Sequence, residues 1–318
     1  MQNDNPSHPR WLYAILLYGI IARIVPYLHN RSLWLDEANL ANGIIESSFS
    51  QLMGVLPYAQ AAPIGFLWLE KIVFYIFGGS EFSLRLIPLL TSIASLFLFY
   101  AFAKKLFQNN FIHFALAFFA FCPALVYYAS EVKQYGFDVF VTLIMMNLSL
   151  PLLNSPTSKK NISIVAITGA ILIWFSQPII FILAGLGIAI FVQQIKQKRL
   201  HWPILFSIAL SWLISFGIYF FGFLKLTIYA DHLHNFHKDY FMPFAFWKVE
   251  SWKWYYNTSV GVFQNPGGIL FKYIAAPIAL IGILFGFKNK KSFYFFYFYQ
   301  LPLLLLLLDF IYIRCFID

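Results

Sequence analysis

The stretch Pro63–Ile64–Gly65–Phe66–Leu67–Trp68–Leu69–Glu70–Lys71–Ile72–Val73–Phe74–Tyr75–Ile76–Phe77 decides how the rest of the chain is threaded. It is apolar enough to cross a bilayer, yet an adjacent acid and base sit at its middle. Charged side chains are costly at the bilayer centre, whereas an interfacial helix tolerates them. If the stretch does not cross, five basic clusters share one side: Arg10, Lys104–Lys105, Lys159–Lys160, Lys196/Lys198/Arg199 and Lys288/Lys290/Lys291. Together they hold 11 of the 22 Lys and Arg residues, the pattern that marks short cytoplasmic loops. If it does cross, every cluster after it changes sides. Residues 29–83 therefore read as one external loop bearing interfacial or re-entrant helices.

Composition supports a membrane reading throughout. The 318 residues are 60% hydrophobic and only 11% charged, with a mean hydropathy of +0.71. Soluble domains carry roughly 25% charged residues, so a large water-soluble core is excluded. The 38 Phe and 19 Tyr suit lipid-facing helices and interfacial belts. A net charge of +9 would point to nucleic acid in a soluble chain; here it is a topology signal, and no nucleic-acid partner is expected. The two cysteines, Cys122 and Cys315, lie in apolar stretches and define no disulfide framework. The first apolar run lacks a small-residue cleavage site and reads as a retained span. Candidate spans are 11–28, 84–103, 111–128, 137–153, 162–176, 178–194, 203–224, 270–287 and 293–312. The expected fold is an all-α polytopic bundle of about nine spans. It divides into an N-terminus and first span (1–28), the external loop (29–83), a membrane core (84–224), a second external loop (225–269) and C-terminal spans (270–318).

With that threading, several polar segments share one face of the membrane. The first is Ser32–Leu33–Trp34–Leu35–Asp36–Glu37, at the start of the long loop. Two adjacent carboxylates in a partly dry cleft suit general-base chemistry; the same pair in a first helical turn also complements the helix dipole. The second is Glu131 and Lys133, with Asp138 one helical turn further along. A carboxylate beside an ammonium can orient an acceptor and meet a phosphate; a plain interfacial ion pair reads equally well. Arg23, late in the first span, is expected to snorkel outward, and Arg85 to snorkel or face a phosphate. His232, His234 and His237 have spacing compatible with a metal or an acceptor, though no further ligand follows at a usual interval. No Gly-rich nucleotide loop, P-loop or zinc-protease motif occurs. A transferase on the outer face has no access to cytoplasmic sugar nucleotides, so a lipid-linked donor is the natural one.

Four segments together resemble a known family. Ser32–Ala38 resembles the first-loop signature of the integral-membrane GT-C glycosyltransferases of the family-39-like group. That group includes protein O-mannosyltransferases, aminoarabinose transferases and Rgt-type lipopolysaccharide transferases. Gln60–Phe66 is similar to its proline-containing loop segment, Gly79–Arg85 to the approach to its second span, and Tyr127–Tyr135 to its second acidic motif. The resemblance implies inverting transfer of a sugar from a polyprenyl-phosphate donor to a lipid, glycan or protein acceptor of the cell envelope, outside the cytoplasmic membrane. Membrane lipids are the surrounding partner. It implies Asp36 as general base, Glu37 as its support or as an acceptor-binding group, Glu131 as second acid, and Lys133 near the donor phosphate, which Arg85 by its position also faces. It names no definite cofactor, and a divalent ion is compatible with it. Lys133 stands where Arg is commoner, which removes a bidentate phosphate clamp at that position. Relatives continue through further spans that carry acceptor recognition, so the alternative is a non-catalytic, truncated relative that binds or moves polyprenyl lipid.

Overall fold

The computed structural model describes residues 10–107, 109–154, 158–198, 201–228, 245, 247–264 and 271–288. In chain order its helices are α1 (Arg10–His29), α2 (Leu35–Glu46), α3 (Ile64–Phe77), α4 (Glu81–Leu84) and α5 (Leu86–Leu106). Next come α6 (Asn109–Phe121), α7 (Pro123–Tyr127), α8 (Tyr135–Ser149), α9 (Pro151–Asn154) and α10 (Lys159–Leu172). The remainder are α11 (Ile179–Lys196), α12 (Trp202–Tyr219), α13 (Lys225–Ile228), α14 (Val249–Gln264) and α15 (Lys272–Lys288). Among the described residues there is no strand, and the protein is an all-α membrane protein.

Among the described residues four helical segments are long and apolar enough to span a bilayer: Arg10–His29, Glu81–Leu106, Ile179–Lys196 and Trp202–Thr227. Their outer faces are apolar, with Trp11, Tyr18 and Leu28 exposed on α1 and Phe206, Leu213 and Ile218 on α12. Lipid solvates such surfaces, so they need no protein partner. The expected spans 137–153, 162–176 and 270–287 coincide with the shorter helices α8, α10 and α15; 293–312 lies outside the described residues. The expected loop 225–269 is partly helical: α13 continues from a π-helical turn at Phe220–Leu224, and α14 occupies Val249–Gln264.

The expected single span 111–128 is broken. It bends by 52° where Cys122 and Pro123 separate α6 from the turn that follows, because proline lacks the N–H that would continue the ladder. Arg23 does not snorkel. It is fully buried beside this bend, where Nη1 donates to Ala120 O and to Gly19 O, both at 2.8 Å, and Nε to Ser92 Oγ at 2.9 Å. A carbonyl near the end of α6 needs a donor and Arg23 supplies it, although Arg23 Nη2 is buried without a hydrogen-bond partner.

α3 has 14 residues, roughly 21 Å at 1.5 Å per residue and short of the ~30 Å hydrocarbon core. It ends at Gly78, whose φ of +81° favours glycine. Its start is docked onto the bundle by Gly65 N–H donating to Trp174 O at 2.8 Å. Only glycine fits there, since a Cβ would lie 2.6 Å from the Phe175 ring. Lys71 Nζ donates to Ile44 O (2.8 Å) and Ile45 O (2.9 Å), the last carbonyls of α2. Glu70 is fully buried and neither carboxyl oxygen has a hydrogen-bond partner. Burial pushes its pKa well above the ordinary carboxyl range. Leu40, Ile44, Phe66, Leu84, Val132 and Val141 belong to one apolar core, so the loop helices and the bundle are packed as a unit.

Candidate active site

α1 stops at Asn30, whose φ of +45° breaks the helix while its N–H bonds Tyr27 O at 3.1 Å. Asparagine tolerates that left-handed conformation better than most residues. Its side chain bonds Glu81 Oε2 (3.2 Å) and accepts from Arg85 Nη1 (3.5 Å), fixing the turn against the head of α5. The chain reverses through Arg31–Trp34 and enters α2 with Asp36 and Glu37 in its first turn. Glu37 Oε2 accepts from the Trp34 N–H at 3.5 Å, closing the helix start. The dipole reading of this pair is thus realised, with both carboxylates in the first turn of α2.

Asp36 and Glu37 face different surroundings because consecutive helical positions do not share a face. Glu37 is fully buried. Arg85 Nε and Nη2 donate to its Oε1 at 3.3 and 3.2 Å, and Nη2 reaches Oε2 at 3.1 Å. Val132 N donates to Oε1 at 2.8 Å, and Arg31 Nη2 lies 3.4 Å from Oε2. Arg85 spends its remaining nitrogen on Arg31 O at 2.7 Å and on Asn30. Glu131, also fully buried, accepts from Trp34 Nε1 at 2.8 Å and pairs with Arg31 through its other oxygen. These bonds draw the loop 131–134 onto the start of α2.

Asp36 closes a ring with two neighbours. Lys133 Nζ lies 2.6 Å from Oδ2, Gln60 Nε2 donates to Oδ1 at 2.9 Å, and Lys133 also donates to Gln60 Oε1 at 2.8 Å. The segment presenting Gln60 is strained, with Tyr58 and Ala59 at φ +60° and +54°; such conformations persist where surrounding contacts dictate them. Burial pushes the Lys133 pKa below the ordinary lysine range, and Asp36 opposes that shift. Asp138 is buried in the first turn of α8.

Three acids and three bases therefore meet at the head of α5. The Asp36 side chain is 25% exposed and those of Glu37 and Glu131 are 0% exposed; Arg31 is 35% exposed against 1% for Arg85 and 6% for Lys133. One acid and one base face outward. The structure brings together five of the residues singled out from the sequence: Asp36, Glu37, Glu131, Lys133 and Arg85. Arg85 and Lys133, expected at a phosphate, each hold a carboxylate. His232, His234 and His237 lie outside the described residues. Among the described residues no group of three His, Cys, Asp or Glu side chains has metal-binding geometry. Sequence reasoning missed Arg31, Trp34 and Gln60 as site residues; the signal available was their position inside or against the two motifs that carry the acids.

Residues 61–220 match the family described as dolichyl-phosphate-mannose-protein mannosyltransferase. That range includes Arg85, Glu131 and Lys133 and stops short of the Arg31–Gln60 half of the cluster. No curated protein and no solved structure matches the chain.

Proposed function

Because the chain belongs to the dolichyl-phosphate-mannose-protein mannosyltransferase family, whose members are glycosyltransferases of the GT-C type, we propose that it transfers a sugar, with inversion, from a polyprenyl-phosphate donor to a hydroxyl of a lipid, glycan or protein. The site lies on the outer face of the cytoplasmic membrane. The observation that carries this reading is the split within the acid pair: Glu37 is sealed among donors, while Asp36 keeps an exposed edge and is oriented through both oxygens.

In this mechanism the acceptor hydroxyl hydrogen-bonds the free edge of Asp36 and attacks the anomeric carbon from the face opposite the phosphate. The new bond joins the acceptor oxygen to that carbon, and the bond from carbon to phosphate oxygen breaks. The proton passes to Asp36, and polyprenyl phosphate leaves with the bonding electrons. No covalent sugar–enzyme intermediate is needed, so one base suffices. Lys133 and Gln60 act as positioning residues for Asp36. Arg85 positions Glu37, which in turn fixes the backbone of Val132 and the start of α2. An apolar cavity of about 390 Å³ between α11 and α12, lined by Leu183, Phe191, Trp202, Trp212 and Phe216, suits an isoprenoid chain.

The test uses membranes containing wild type or Asp36→Asn and a panel of radiolabelled polyprenyl-phosphate sugars. Wild type moves label from one donor, and Asp36→Asn lowers the rate by at least about 100-fold, the lower end of what a general base contributes. Equal transfer by both proteins makes Asp36 a helix-dipole residue and ends the assignment. Donor binding by wild type without transfer to any acceptor favours a lipid-binding relative.

A further inference from the structure

We infer that Arg31 is the residue that receives the donor's phosphate, an assignment resting on the polyprenyl-phosphate reading above. Three cations serve the cluster, and their occupancy differs. Every nitrogen of the Arg85 guanidinium is engaged, by Glu37, by Arg31 O and by Asn30, and its side chain is 1% exposed. Lys133 is enclosed by Asp36 and Gln60 and is 6% exposed. Arg31 is anchored through Nη2 alone, to Glu37 and Glu131. Its Nε and Nη1 make no hydrogen bond among the described residues, which leaves three N–H donors without a protein acceptor on a side chain that is 35% exposed.

The guanidinium is also held flat. Its Cζ sits 4.9 Å from the centre of the Tyr127 ring, so one face of the guanidinium is covered by the ring. An arginine fixed at one nitrogen and stacked on an aromatic ring has lost its rotamer freedom before a ligand arrives. A phosphodiester then gains charge-assisted hydrogen bonds at little ordering cost. Each acid of the cluster is paired with a base, so an added anion faces paired and not free carboxylates. The outward base and the outward acid are the two ends of one bonded network, through Glu37 and its neighbour Asp36. That arrangement gives the phosphate and the acceptor hydroxyl separate places in one site.

The purified full chain in detergent is titrated with geranylgeranyl phosphate and, separately, with geranylgeraniol, which has the same chain without the anion. Wild type is expected to bind the phosphate at least about tenfold more tightly, the scale of one or two charge-assisted hydrogen bonds. Arg31→Lys keeps a positive charge but replaces the planar fork by a compact ammonium drawn onto Glu37 and Glu131, with no second nitrogen to reach past them, and it is expected to bind both probes within about twofold of each other, as RT arithmetic gives for under 0.5 kcal/mol. If Arg31→Lys discriminates as wild type does, the inference is overturned and the donor reading stands. If wild type itself shows no preference, the donor reading fails and takes the inference with it. Tyr127→Leu leaves every ion pair in place, so it reports even where the arginine variant does not fold. It is expected to weaken the phosphate several-fold and leave the alcohol unchanged; unchanged phosphate binding counts against the assignment.

Discussion

Glu37 receives hydrogen bonds from Arg85, Arg31, Trp34 and Val132 with no surface exposed to solvent. Removing one partner of such a pair strands a buried charge, while removing both is far milder. Arg85→Met is expected to destabilise the protein by about 3–5 kcal/mol, read as a lower thermal midpoint in detergent. Glu37→Gln combined with Arg85→Met is expected to cost clearly less than the two single changes added together. Glu70 gives a prediction of opposite sense. Its folded-state pKa is raised, so above the ordinary carboxyl value of roughly 4.3 the unfolded chain has released a proton that the folded chain keeps. Stability is therefore lost as pH rises through that window. Glu70→Gln is expected to melt with wild type near pH 4 and progressively above it toward pH 8; parallel melting curves would show that Glu70 has a partner when ionised. The five charged site residues were legible because such side chains are scarce in this chain and fall in short motifs. Their pairing was not, since Arg85 meets Glu37 across 48 positions only because Asn30 turns the chain there. Gln60 and Arg31 carried no periodic signal, and the burial of Arg23 depends on a carbonyl offered by another helix.

At the scale of elements, hydropathy located the helices well and their shapes poorly. An apolar run says that a segment is buried in lipid or protein, not where it bends or how soon it ends. The bend at Cys122–Pro123 is what turns the segment toward Glu131, and Arg23 fills the donor deficit beside it. The polar stretch after α12 concealed a helix, α14, because its apolar positions are too few to stand out as a span. The docking of α3 rests on a steric detail that composition cannot show: Gly65 packs against the face of Phe175 and bonds Trp174 O. Gly65→Ala is expected to cost about 1–3 kcal/mol through overpacking and to loosen the segment that delivers Gln60. Phe175→Leu in the same chain is expected to restore most of the thermal midpoint. If the double variant melts no higher than Gly65→Ala, the backbone conformation and not the ring contact sets the requirement for glycine.

For the whole molecule, the site itself limits the threading. Asp36–Glu37 and Glu131–Lys133 are bonded to one another, so the chain between them crosses the bilayer an even number of times. The segment Glu81–Leu106 is long and apolar enough to cross once, and the bent α6–α7 pair, taken as one broken span, supplies a second crossing. A third crossing by α3 would place the two motifs on opposite sides, which their contacts forbid. This parity argument agrees with the short length of α3 and with the one-sided distribution of basic clusters, three observations with independent physical origins. It yields a prediction about sides that needs no substrate. In a background with Cys122 and Cys315 replaced by serine, Ser50→Cys lies in the first loop and Lys160→Cys at the start of α10, both at exposed positions. With α8, prolonged by α9 to Asn154, as the third crossing, the two fall on opposite faces. An impermeant maleimide added to right-side-out vesicles is expected to label Ser50→Cys at once and Lys160→Cys only after permeabilisation. Labelling of both without permeabilisation would mean that α3 or one more segment crosses, and the shared face on which the proposed catalysis depends would be lost.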